Sequence, residues 1–115
     1  MRRTTLRYTP AGGRVEMPSV VGVHFVCESE RNVTDHGDGT FDSGFWWVAK
    51  KRRATIEYLA LQGSRSSRSY RQGRVIGVRD VEYEGKTRTI FTVRSEGSPR
   101  AWVGDGAGER GYLWR

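Results

Sequence analysis

Apolar positions along the chain fall into short runs separated by glycine and turn-forming residues. No segment repeats them at helical spacing over ten or more residues. Residues 20–27 form a β-branched, apolar run entered after Pro18, which predicts a buried strand. Residues 32–44 form a turn region, densest in turn formers from Asp35 to Thr40. A strand is expected over 45–49. Another is expected over 54–61, where Thr55, Ile56 and Tyr58 favour strand over a short helix. Residues 63–73 form a polar loop, and a long strand follows over 73–83. In that strand Val75, Val81 and Tyr83 share one parity, while Ile76 and Val78 share the other. The switch near Gly77 predicts a β-bulge. Glu84 and Gly85 make a tight turn into a partner strand over 86–94. Short apolar runs at 101–103 and 111–114 flank a glycine-rich turn. Five to seven short strands with glycine bends predict a mainly β fold with little helix, a small barrel or half-barrel.

A chain of 115 residues makes one domain. Residues 1–14, basic and closed by Gly12 and Gly13, are expected to be an arm, and 15–115 the barrel domain. With 36% hydrophobic residues there is enough apolar surface for one core. The lone cysteine, Cys27, lies at the end of the first apolar run and is expected to be a buried thiol, which fits a reducing compartment such as the cytoplasm. No apolar stretch is long enough to span a membrane, and the basic N-terminus lacks the apolar run of a signal peptide.

Charge sharpens this picture. The net charge is +7, and every basic residue except Lys50, Lys51 and Lys86 is arginine. Residues 50–74 hold Lys50, Lys51, Arg52, Arg53, Arg65, Arg68, Arg71 and Arg74 against a single acid, Glu57, so the whole excess lies in this window. Codon bias would scatter arginine; it would not remove acids from one segment. Arginine and serine both donate to phosphate oxygens, so Ser64 and the loop arginines suit a nucleic-acid backbone, with Tyr70 as a stacking group. On a strand Trp46 and Trp47 face opposite sides, so one of them lines a pocket or an exposed face. Trp102, Tyr112 and Trp114 are expected to be packing groups. The partner expected from the charge is RNA or DNA; an acidic protein is the alternative.

Sites for chemistry are few. The acidic turn with Asp35, Asp38 and Asp42 departs from a calcium loop, because Phe45 stands where a bidentate glutamate is needed. A small metal-dependent nuclease built on these acids is a further alternative. Glycine pairs such as Gly37 and Gly39 do not follow a strand and open a helix, so no dinucleotide cofactor is implied. Two histidines and one cysteine offer few general bases, which favours a binding domain without cofactor or catalytic residues.

Residues 44–94 resemble the PUA-like group of small β-barrels, which includes the ASCH and EVE domains. The aromatic run from Phe45 to Lys50 is similar to the strand that opens an EVE domain. The run from Ile56 to Ser64 is similar to a later strand ending in a polar turn, and that from Gly73 to Val81 to a barrel strand with a Gly-x-Val-x-Gly pattern. The helical insert expected between the first two features is absent, and residues 1–43 have no counterpart. The resemblance implies a barrel cleft that takes RNA, or DNA with a modified or flipped base. Trp46 or Trp47 would form the wall of that cleft, with Ser64, Arg65 and Tyr70 at its mouth and Arg68, Arg71 and Arg74 on the backbone.

Overall fold

A computed structural model describes residues 18–104 and 108–115. The elements are β1 (Val20–Val26), a short 3-10 turn (Glu28–Glu30), β2 (Val33–Asp35), β3 (Thr40–Trp46), α1 (Lys50–Arg53), β4 (Tyr58–Gln62), β5 (Arg71–Tyr83), β6 (Lys86–Ser95) and β7 (Arg110–Trp114). The strands form one seven-stranded sheet in the order β2-β3-β6-β5-β4-β1-β7. Only β1 and β4 pair in parallel. The domain is mainly β with little helix, in keeping with its sequence pattern. The hydrogen-bonded ladder does not close, however, and β2 and β7 form its two edges. The expected arm over 1–14 lies outside the described residues.

The β5–β6 hairpin follows the chain's local chemistry. Tyr83 pairs with Lys86 across the two-residue turn, where Glu84 and Gly85 both have positive φ, 51° and 77°. That geometry matches the right-handed twist of the flanking strands. Farther along, Val75 faces Val93 and Gly77 faces Thr92, so Ile76 is the extra residue of a bulge where the parity switches. At Gly73 the neighbouring strand comes so close that a Cβ would fall 2.0 Å from the Arg94 carbonyl oxygen.

The third strand begins earlier than hydrophobicity implies, at Thr40 rather than Phe45. Its first half is polar but buried, and its polar groups are satisfied. Asp42 accepts hydrogen bonds from Thr92 at 2.7 Å and Arg79 at 2.9 Å, and Ser43 Oγ accepts one from Trp46 Nε1 at 2.9 Å. The fourth strand is shorter than expected. Its forerunner, residues 54–57, links α1 to the sheet, with Thr55 Oγ1 donating to the Val20 carbonyl at 2.5 Å. The single turn of α1 was hidden from the sequence pattern because its four residues are all charged.

The main core lies on one face of the sheet and gathers Val23, Phe25, Leu59, Leu61, Phe41, Phe91 and Val93, with Cys27 buried among them. Each large side chain buried there contributes about 1.5–3 kcal/mol. On the other face His24 and Gln62 are fully buried. Gln62 Nε2 donates to the Ser67 carbonyl at 2.7 Å, so its Oε1 accepts from His24 Nδ1 at 2.6 Å. His24 Nε2 is then left to accept from the Tyr58 hydroxyl at 3.1 Å. Trp102 packs edge-on against the His24 ring, and the Arg100 guanidinium sits 3.9 Å from the centre of the Tyr58 ring. Burial lowers the His24 pKa and outweighs the opposing bond to Gln62, so the neutral ring belongs to the fold.

Candidate nucleic-acid interface

The two basic clusters sit at opposite ends of β4. The turn of α1 precedes the strand and the loop over 63–70 follows it, roughly 15 Å away by strand rise. The structure thus groups Trp47, Lys50, Lys51, Arg52 and Arg53 at one place, and Ser64, Arg65, Arg68, Tyr70 and Arg71 at another; Arg74 leaves the loop cluster, because β5 runs back along β4 and sets it opposite Tyr58.

In the loop cluster several groups tie chain segments together. Arg71 pairs with Glu30 and, at 3.2 Å, with Asp35, and its guanidinium lies 5.2 Å from the centre of the Phe41 ring. These carboxylates raise its pKa, Glu30 most. The Tyr70 hydroxyl donates to the Cys27 carbonyl, and burial together with that neighbour pushes its phenol pKa up. Ser64 is part of a hydroxyl-rich turn in which Ser67 Oγ donates to the Ser64 carbonyl at 3.0 Å. Arg68 reaches the Pro99 carbonyl at 3.5 Å, while Arg74, farther along β5 and opposite Tyr58, approaches Glu96 at 3.5 Å. Arg65 is exposed on the same loop.

At the α1 cluster the adjacent tryptophans part company. Trp46 stacks on Phe25 with ring centres 3.9 Å apart and planes 7° from parallel, so it is partly buried against the core. Trp47 is 61% exposed. Arg53 is engaged by Asp80 and donates to Thr89 at 2.9 Å; the bond to Asp80 raises its pKa and lowers that of Asp80. Lys50 and Lys51 are exposed. Arg52 turns toward β7, with its guanidinium 5.1 Å from the Tyr112 ring centre and 5.4 Å from that of Trp114.

Three residues on β7 complete this face. Arg110, Tyr112 and Trp114 alternate along the strand and therefore share one side. Arg110 donates to the Trp47 carbonyl, and its guanidinium lies 5.9 Å from both the Trp47 and Tyr112 rings. Trp114, expected to be a packing group, is 49% exposed. The outcome is an alternating row of ring and cation: Trp47, Arg110, Tyr112, Arg52, Trp114. Its β7 portion spans roughly 13 Å. The segment from Trp47 to Arg52 runs beside β7 where the ladder stays open. Three of the ring–cation rungs join residues more than fifty positions apart, so the row was not visible in the sequence. The period-two spacing of Arg110, Tyr112 and Trp114 was its one local signal.

Two hollows border the row. One, of about 600 Å³, lies between Pro18, Ser19, Lys51, Arg52, Thr55 and Trp114. The other, of about 250 Å³, lies between Trp47, Lys50, Arg53, Asp80 and Thr87. Of the row's rings Trp47 and Trp114 are exposed, while Tyr112 is partly buried and packs against the core, as expected of it. Cations beside exposed rings can hold phosphates and base faces together.

The acids of the expected turn have structural partners. Asp35 accepts from the Gly37 amide at 2.8 Å and from Arg71, and both lower its pKa. Asp38 accepts from the Thr40 hydroxyl at 2.6 Å and its amide at 3.0 Å, which likewise lowers its pKa. Burial pushes the Asp42 pKa up, but bonds from Thr92, Arg79 and His36 outweigh it and leave the pKa lowered. Among the described residues no group of three His, Cys, Asp or Glu side chains is placed to hold a metal ion.

No family model, curated protein or solved structure matches the chain.

Proposed function

We propose that this domain binds nucleic acid, RNA or DNA, non-covalently through the face that α1 and β7 build. The observation that carries this reading is the row of alternating rings and cations from Trp47 to Trp114, with Lys50 and Lys51 exposed beside it. Among the described residues Lys50, Lys51 and Arg52 have no carboxylate within ion-pair distance, so their charge is available to a partner. An acidic protein would engage these cations yet gain little from rings left in water. A nucleic acid engages both, its phosphates with the cations and its bases with the rings.

A modified or flipped base, which the PUA-like resemblance implies, would need an accessible aromatic wall; of the two expected tryptophans, Trp47 has the exposed ring and Trp46 lies against Phe25. The loop cations at the far end of β4 are a second, more distant contact for a longer strand.

Fluorescence anisotropy with labelled RNA, single-stranded DNA and duplex DNA at two salt concentrations tests the proposal. Binding that weakens steeply with salt is expected, because each phosphate contact releases counterions. No binding to any of the three at low salt would overturn it and leave the acidic-protein alternative.

A further inference from the structure

We infer that the hollow beside Trp114 is a subsite for one unpaired nucleotide, taking the base against the indole and its phosphate between Lys51 and Arg52. The inference rests on the nucleic-acid reading above and narrows it to single strands.

The hollow, at about 600 Å³, is of the size of clefts that hold small organic ligands. Its aromatic wall is firmly placed although it lies near the chain end. Trp114 sits opposite Val20 in the ladder, and Ser19 and Arg115 exchange two backbone hydrogen bonds of 2.9 Å just beyond it. Tyr112 meets the Trp114 ring edge-on, with centres 6.5 Å apart. The residue is nonetheless about half exposed.

Among the described residues no carboxylate pairs with the cations beside it. Arg52 lies between the two rings, and its Nε is buried with no hydrogen-bond partner among the described residues. A cation held in a partly buried position without a counter-charge favours an incoming anion. Lys51 is exposed on the same rim. Thr55 Oγ1 is directed to the Val20 carbonyl at 2.5 Å and the Arg52 carbonyl at 3.1 Å, so it braces the rim and leaves ligand contact to the cations. Pro18 and Val20 also line the hollow. A flat π-face next to an unmatched pair of cations suits a base joined to a phosphate. In a duplex each base face is covered by its neighbours, so only an unpaired base can take the indole.

The test compares a short oligothymidylate with an abasic sugar–phosphate strand of the same length and charge, both binding the full chain. The wild-type protein is expected to prefer the base-bearing strand. Trp114→Ala should weaken oligothymidylate binding about tenfold and leave the abasic strand unchanged. Trp114→Phe should keep most of the preference, which guards against a folding defect in the alanine variant; a thermal melt checks both. Lys51→Gln should weaken both strands alike. Equal effects of Trp114→Ala on both strands, or no effect on oligothymidylate, would overturn the subsite while the broader reading stands. Failure of the wild-type protein to bind either strand would overturn the subsite, and the broader reading falls with it only if RNA and duplex DNA also fail to bind.

Discussion

Adjacent residues of one type have been given opposite tasks here. Trp46 stacks on Phe25, partly buried against the core, and Trp47 stands in solvent. Trp46→Ala is expected to destabilise the domain by about 3–5 kcal/mol, while Trp47→Ala should leave the melting temperature nearly unchanged and weaken nucleic-acid binding. Urea denaturation and anisotropy on the two variants check this pair of outcomes. His24 gives a second prediction at this scale. Its pKa is lowered in the fold from 6.5, so the unfolded chain takes up a proton first as pH falls. The stability it contributes is fully present above 6.5 and is lost as pH drops from there through the folded value. Denaturation midpoints measured across that window should fall, and the ring's titration followed by NMR should have its midpoint below 6.5. Neither role could be assigned from single residues in the sequence. Alternation alone put the tryptophans on opposite sides, but the side that is core depends on which strands lie across from them.

Elements set by local chemistry were the legible ones. The β5–β6 hairpin follows from Glu84 and Gly85 and from the parity switch at Gly77, all of it information within a few residues. Glu84 nevertheless carries a positive φ that suits glycine or asparagine better. Glu84→Asn is expected to stabilise the domain by roughly 0.5–1 kcal/mol, read as a rise in the urea midpoint, and Gly85→Val to destabilise it by more. Elements set by tertiary partners were hidden. The start of β3 at Thr40 looks like turn because Asp42 and Ser43 are polar, and it becomes strand only because Thr92, Arg79 and Trp46 satisfy them. The turn of α1 has no apolar residue to betray its period. It exists because Ala49 O accepts from Arg52 N at 3.0 Å and Arg53 N at 3.1 Å while Arg53 and Arg52 reach out to Asp80 and the β7 rings.

For the molecule as a whole, the position of net charge was readable and its use was not. The window over 50–74 carries the excess, but folding divides it between two ends of β4 and matches Arg71 to two carboxylates. Lys50→Ala and Lys51→Ala together should therefore flatten the salt dependence of nucleic-acid binding by roughly one unit per lost phosphate contact. Arg71→Ala should act mainly on stability, by about 1 kcal/mol, and leave that slope unchanged. Anisotropy over a salt series separates the two. The β7 half of the ring–cation row lies outside the charged window. Its residues take on a role only when Trp47 and Arg52 arrive from more than fifty positions away.

The unclosed ladder has a dynamic consequence. Among the described residues β7 is bonded to the sheet on one side only, and on its open side Arg110 reaches the carbonyl of Trp47, just past the end of β3. Such a margin separates from the body at lower cost than an inner strand, so its amides should trade hydrogen for deuterium sooner than those of β4 or β6. A strand of nucleic acid lying along the row would touch both banks of that seam and act as a splint. Exchange should then slow in β7 and around Trp47, while β2, the other margin, keeps its original rate.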